Sequence, residues 1–118
     1  MSFKAVLSID GSEFELNYCK IFKARNQDNR GRPASTYQWS IICAMDAIDD
    51  TLITDWMINP SMQKEGNIIF YKDDQESKLK EIGFKKAYCT NLIDQFMDDL
   101  SYMDCWFAIK GEELNGVS

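Results

Sequence analysis

The sequence has no histidine, only two prolines, four cysteines and no glycine-rich run. Without histidine, the usual general base for a serine or cysteine nucleophile is missing. Gly31, Gly66, Gly83 and Gly111 stand alone, so no loop is built to cradle phosphate. Basic residues are outnumbered, 13 Lys and Arg against 19 Asp and Glu, for a net charge of −6. An acidic chain without a basic stripe is poorly suited to neutralising phosphates, so nucleic acid and anionic membranes are not expected partners. The charge reads as a solubility device. No apolar run approaches the roughly 20 residues of a membrane-spanning helix, and the first residues run straight into an alternating pattern rather than a secretory leader. The expectation is a chain folded in the cytosol which, if exported, leaves by a route other than general secretion.

The residues that carry chemistry elsewhere have plainer readings here. Cys19, Cys43, Cys89 and Cys105 form no CxxC pair, and each falls in a predicted strand, which suits small buried hydrophobes better than a zinc site. The acidic pairs Asp49-Asp50, Asp73-Asp74 and Asp98-Asp99 sit at turns or a helix start, as caps and solvating groups rather than a paired-carboxylate site. Lys85-Lys86 reads as a solvated face. Trp39, Trp56 and Trp106 fall at strand or helix spacing and read as core or interface residues. The expectation is no catalytic residue, no cofactor and no metal, hence no enzyme.

What is present is enough apolar material for one core: 118 residues, 45% hydrophobic and 13% aromatic, read as a single domain over 1–118. Residues 3–9 alternate with period two, placing Phe3, Ala5, Leu7 and Ile9 on one face. Asp10-Gly11 follows, a dipeptide favoured in tight hairpins because both positions accept positive φ. Phe14, Leu16 and Tyr18 continue the returning strand, and the phase blurs around Cys19, where a bulge or bend is expected. In 36–48, Tyr37, Trp39, Ile41, Cys43, Met45 and Ala47 share one side. The other side turns apolar only in its second half, which calls for partial cover by the chain's own helix or a neighbouring subunit.

Asp49-Asp50-Thr51 caps a short helix over 52–58, whose stripe is Leu52, Ile53, Trp56 and Met57, and Asn59-Pro60 ends it. Strands are expected over 67–72, 79–93 and 102–109. On the second of these, Ile82, Phe84, Tyr88 and Thr90 alternate against Gly83, Ala87, Cys89 and Asn91. Segment 94–101 fits a helical turn as readily as a loop, and 111–118 reads as frayed or interface-bound. Segment 25–35 lacks any large apolar residue and is broken by Gly31 and Pro33. It reads as a long loop and a candidate contact surface.

Many strands with one short helix predict a mainly β fold, a small antiparallel barrel or sandwich with a helix on its flank. Such a domain acts through its surfaces, by binding or by assembling, and composition does not choose between them.

The order of segments does choose. Ser2-Phe3-Lys4-Ala5 with Ile9-Asp10-Gly11, then Gly31-Arg32-Pro33-Ala34-Ser35, open a series that continues with Asp50-Thr51-Leu52 and Asp55-Trp56-Met57-Ile58-Asn59-Pro60. It ends with Gly66-Asn67-Ile68-Ile69-Phe70-Tyr71-Lys72, Lys78-Leu79-Lys80-Glu81-Ile82-Gly83-Phe84 and Ala87-Tyr88-Cys89. This ordered set resembles the haemolysin-coregulated proteins (Hcp or TssD), the tube proteins of type VI secretion systems, and within them a compact branch beginning Met-Ser-Phe-Lys-Ala. After Asn91 the chain departs from that pattern, with a bulkier and more acidic 92–100. The resemblance implies a non-enzymatic β-barrel with one flanking helix. Six copies would close into a ring, rings would stack into an inner tube, and the tube would be secreted on firing. Its partners would be itself, a contractile sheath, a spike and secreted effectors. Arg30, Gly31, Arg32, Pro33, Ala34 and Ser35 become the candidate self-assembly residues, with ring-to-ring contact as their role. An effector-binding carrier ring and a phage tail-tube protein are the alternative readings.

Overall fold

Asp10 and Gly11 both take positive φ, 51° and 78°, and turn β1 (Lys4–Ile9) back onto β2 (Ser12–Leu16) with Ile9 opposite Ser12. That is the tight turn the dipeptide predicts. The remaining elements are β3 (Tyr18–Gln27), β4 (Pro33–Asp46), α1 (Leu52–Ile58), β5 (Lys64–Tyr71), β6 (Lys78–Met97) and β7 (Tyr102–Val117). This computed structural model describes residues 4–27, 30, 33–47, 50–72, 77–98 and 102–117.

All pairings are antiparallel, in one seven-stranded sheet of order β2-β1-β5-β6-β7-β4-β3. The mainly β class with one short helix is therefore as expected, but the sheet is not closed by hydrogen bonds. Its edges, β2 and β3, are consecutive in sequence with only Asn17 between them. Asn17 is held by β4: its backbone N–H donates to the Ala44 carbonyl (2.7 Å) and its Nδ2 donates to Asp46 Oδ1 (2.8 Å). The two edges are thus joined by the covalent chain and fixed to a third strand.

One face of the sheet makes the core. Leu7, Ile9, Phe14, Leu16, Trp39, Ile41, Cys43, Met45, Ile68, Ile82, Phe84, Ala87, Phe107 and Ile109 are all buried there. Each fully buried large side chain is worth about 1.5–3 kcal/mol. A one-residue slip of any strand would expose its whole set, so burial fixes the register.

The helix covers this core rather than the outer face of β4. Its buried residues are Ile53 and Trp56, with Leu52 and Met57 half-buried, and it packs on β6. Trp56 is fully buried, lies nearly parallel to Phe84 (centroids 6.4 Å, 10°), and its Nε1–H donates to the carbonyls of Met62 (3.1 Å) and Ala87 (3.2 Å). The helix start is tied by Asp50, whose Oδ1 accepts from the Leu52 N–H (2.8 Å), while Thr51 Oγ1 donates to Asp55 (3.1 Å) instead of capping the backbone.

Four expectations need correction. In β6 the alternation reverses: Ile82 and Phe84 face the core, but so do Ala87 and Cys89, while Tyr88 and Thr90 are exposed. The cause is a bulge against β5 between the pairs Phe84–Gly66 and Ala87–Lys64, where Lys86 takes φ 52°. Segment 94–97 is neither helical turn nor loop but the continuation of β6, after a second irregularity against β7 between Cys89 and Asn91. Residues 111–117 are not frayed: β7 pairs with β6 as far as Glu81 opposite Val117. A straight strand as long as β6 would run roughly 60 Å, beyond the molecule's longest dimension of 52 Å, so it must bend. The fourth correction, to segment 25–35, belongs with the candidate site.

Candidate functional site

The exposed surface that stands out is the outer face of β3, β4, β7 and β6. Register sets Tyr18, Ala44, Trp106 and Ile93 in one row across the four strands, with Ile42 and Ala108 beside them. Directly opposed residues in antiparallel strands share a face. Tyr18 and Trp106 flank Ala44, and their rings meet above it at 5.2 Å between centroids, which leaves Ala44 buried. The Trp106 Nε1–H is satisfied by Asp104 Oδ2 at 3.0 Å. Ile42, Ile93, Trp106, Phe107 and Ala108, with Asn91 and Gln95, line a shallow cavity of about 390 Å³. Ile93 is 60% exposed and Ile42 38%.

At the far end of the β6–β7 hairpin, Phe96 and Met103 are opposite each other in register and both exposed, 64% and 48%, but alternation puts them on the other face, the side of Cys105 and Leu92. The apolar second half of the outer face of β4 was legible in the sequence, but its continuation across Trp106 and Ile93 was not. Strand order, which local alternation does not encode, puts those residues side by side.

Segment 25–35 is largely strand. β3 extends to Gln27 and β4 begins at Pro33, with Arg25 opposite Tyr37 and Gln27 opposite Pro33 across a register shift. Polar sequence hid this pairing because ladder hydrogen bonds come from the backbone and do not require an apolar side chain. Proline fits here as the first residue of its strand. Of the candidate assembly residues, Pro33, Ala34 and Ser35 open β4 and Arg30 is an exposed turn residue. Gly31 and Arg32 lie outside the described residues.

The cysteines behave as core residues. Cys43, Cys89 and Cys105 are buried, Cys19 is half-buried, and all four are free thiols. Burial pushes the Cys89 thiol up to about 11 and, with Asp94 and Asp104 adding to it, Cys105 up to about 12. Thiols so held are protonated at neutral pH and are poor nucleophiles. Among the described residues, no group of three or more His, Cys, Asp or Glu side chains could hold a metal ion. Of the acidic pairs, Asp50 caps the helix, while Asp49, Asp73, Asp74 and Asp99 lie outside the described residues. No described helix is long and apolar enough to cross a membrane.

The sequence matches the family model of hemolysin coregulated protein Hcp (TssD) over residues 1–117. No curated protein matches it in sequence. Among solved structures, Hcp1 from Flavobacterium johnsoniae is similar, with a TM-score of 0.82 at 23% identity, covering 96% of this chain and 94% of that one. The sheath–tube complex of an extracellular contractile injection system, PVC, gives 0.70 at 14% identity over 98% and 88% of the two chains. Hcp1 from Salmonella typhimurium gives 0.69 at 8% identity over 100% and 95%. At these identities the likenesses establish a shared fold.

Proposed function

The chain belongs to the hemolysin-coregulated protein (Hcp, TssD) family, and on that footing we propose that it is a structural subunit of a contractile injection tube. Six copies close into a ring, rings stack into the inner tube of a type VI secretion system, and the tube leaves the cytoplasm when the machine fires. The observation that carries this reading is the family match along 117 residues together with a fold shared with a contractile injection sheath–tube complex.

Two features agree with it. A ring is a head-to-tail assembly and needs two different complementary faces on each subunit. The outer face around Ile42, Trp106 and Ile93, and the exposed end of the β6–β7 hairpin, supply apolar area for such contacts. The connection from β3 into β4, with Arg30, Gly31, Arg32, Pro33, Ala34 and Ser35, is the candidate ring-to-ring contact. On this reading the protein performs no catalysis, and its partners are copies of itself, the sheath, the spike and the effectors it carries.

Native mass spectrometry of the purified chain, followed by negative-stain imaging, tests the proposal. Six-subunit species seen as rings are the expected result. A strict monomer at high concentration, in the presence of its cognate sheath and spike proteins as well as alone, would overturn it.

A further inference from the structure

We propose that Cys19 and Cys43 are a modification site, an intrachain disulfide formed by exchange with a low-molecular-weight disulfide such as oxidised glutathione. The two residues are direct partners in the antiparallel ladder of β3 and β4, between the pairs Tyr18–Ala44 and Lys20–Ile42. Direct partners in such a ladder have Cα atoms about 4.5–5.5 Å apart, inside the roughly 4.4–6.8 Å that disulfides span. Both side chains lie on the core side of the sheet: Cys43 is in the core cluster and Cys19 packs against it. The two thiols are near enough that each shifts the other's titration. Closing the bond therefore asks for side-chain rotation and no strand movement.

The two thiols are not equivalent, and their difference orders the reaction. Cys43 is fully buried, whereas Cys19 is half-buried on the edge strand and within reach of a small reagent. The neighbouring Cys43 thiol holds the Cys19 thiol below its ordinary value, while Cys19 and burial together raise Cys43 well above it. Cys19 is thus the entering nucleophile. Its thiolate attacks one sulfur of the reagent, expelling one reagent thiolate and leaving a mixed disulfide on Cys19. Cys43 then loses its proton to solvent and attacks the Cys19 sulfur, expelling the second. One reagent disulfide becomes two thiols, and two protein thiols become one disulfide. The product fastens the edge strand β3, paired on one side only, to β4. In the tube reading the chain passes from a reducing to an oxidising compartment, where such a bond closes and persists, but the chemistry does not depend on assembly.

The full-length reduced chain, folded and without denaturant, is incubated with oxidised glutathione, quenched, unfolded and alkylated, then weighed and peptide-mapped. The expected product carries alkyl groups on only two of the four cysteines, with a mass two hydrogens below that of a reduced chain bearing two such groups, and maps to a Cys19–Cys43 link that reductant reverses. The variant Cys43→Ala should stop at a single glutathione adduct on Cys19. Four alkylated thiols, a link between any other pair, or a persistent glutathione adduct on the unsubstituted protein would each overturn the proposal, and none of these readings requires the variant to fold.

Discussion

Gly66 approaches Ser8 so closely across the β1–β5 ladder that a Cβ on it would stand 2.6 Å from the Ser8 carbonyl oxygen and 3.0 Å from the Phe84 ring. The nearer obstacle is backbone and cannot rotate away. Gly66→Ala should therefore push β1 from β5 and cost about 2–4 kcal/mol, more than most surface changes. Urea unfolding checks it; a midpoint equal to that of the unsubstituted chain would show that the strands relax freely.

Trp56 joins α1 to the sheet through the carbonyls of Met62 and Ala87 and through Phe84. Trp56→Phe keeps the apolar contact but removes the donor from two carbonyls, at least one of them at a buried contact, for a loss of about 1–3 kcal/mol. Trp56→Ala also opens a cavity and should lose about 3–5 kcal/mol. The difference between the two variants in denaturant midpoints separates hydrogen bonding from packing.

Cys89 and Cys105 give the protein an alkaline limit. Their folded-state values, about 11 and about 12, lie above the ordinary 9.0 of an exposed thiol. Burial in the native state disfavours the thiolate, so the unfolded chain releases these protons first. Their stabilising contribution is complete below pH 9 and is lost as pH rises toward 11 and 12. Thermal unfolding from pH 8 to 11 should show declining stability, with a shallower decline in Cys89→Ala/Cys105→Ala. An equal slope in both proteins would assign the loss to other groups.

The connection between β3 and β4 is the proposed ring-to-ring contact, and a charge reversal tests it. Replacing Arg30 and Arg32 with glutamate should weaken ring stacking and leave the circular dichroism spectrum and the unfolding midpoint nearly unchanged, within about 0.5 kcal/mol. Electron microscopy of the variant should show single rings where the parent stacks. An unfolded variant would make the connection a structural element rather than a contact.

Local chemistry determined a good part of this protein. Asp10-Gly11 gave its turn because few residues tolerate two successive positive φ values. The helix over 52–58 followed from its stripe, its acidic start and the proline beyond its end. The alternation in β1 and β4 put Leu7 with Ile9, and Trp39 with Ile41, Cys43 and Met45, on single faces before any partner strand was known, and these six are buried. The ordered motifs carried the family.

Tertiary structure decided the rest, since it depends on partners distant in sequence. Lys86 alone reverses which residues of β6 face the core, and a bulge is a relation between two strands that one strand's pattern does not encode. The polar arms of the β3–β4 hairpin and the last residues of β7 are strands because a neighbouring backbone offers hydrogen bonds. The apolar outer row of Tyr18, Trp106 and Ile93, and the facing thiols of Cys19 and Cys43, exist only once the strands are ordered and in register. Periodicity told each strand which side to bury; the ladder told each residue whom to face.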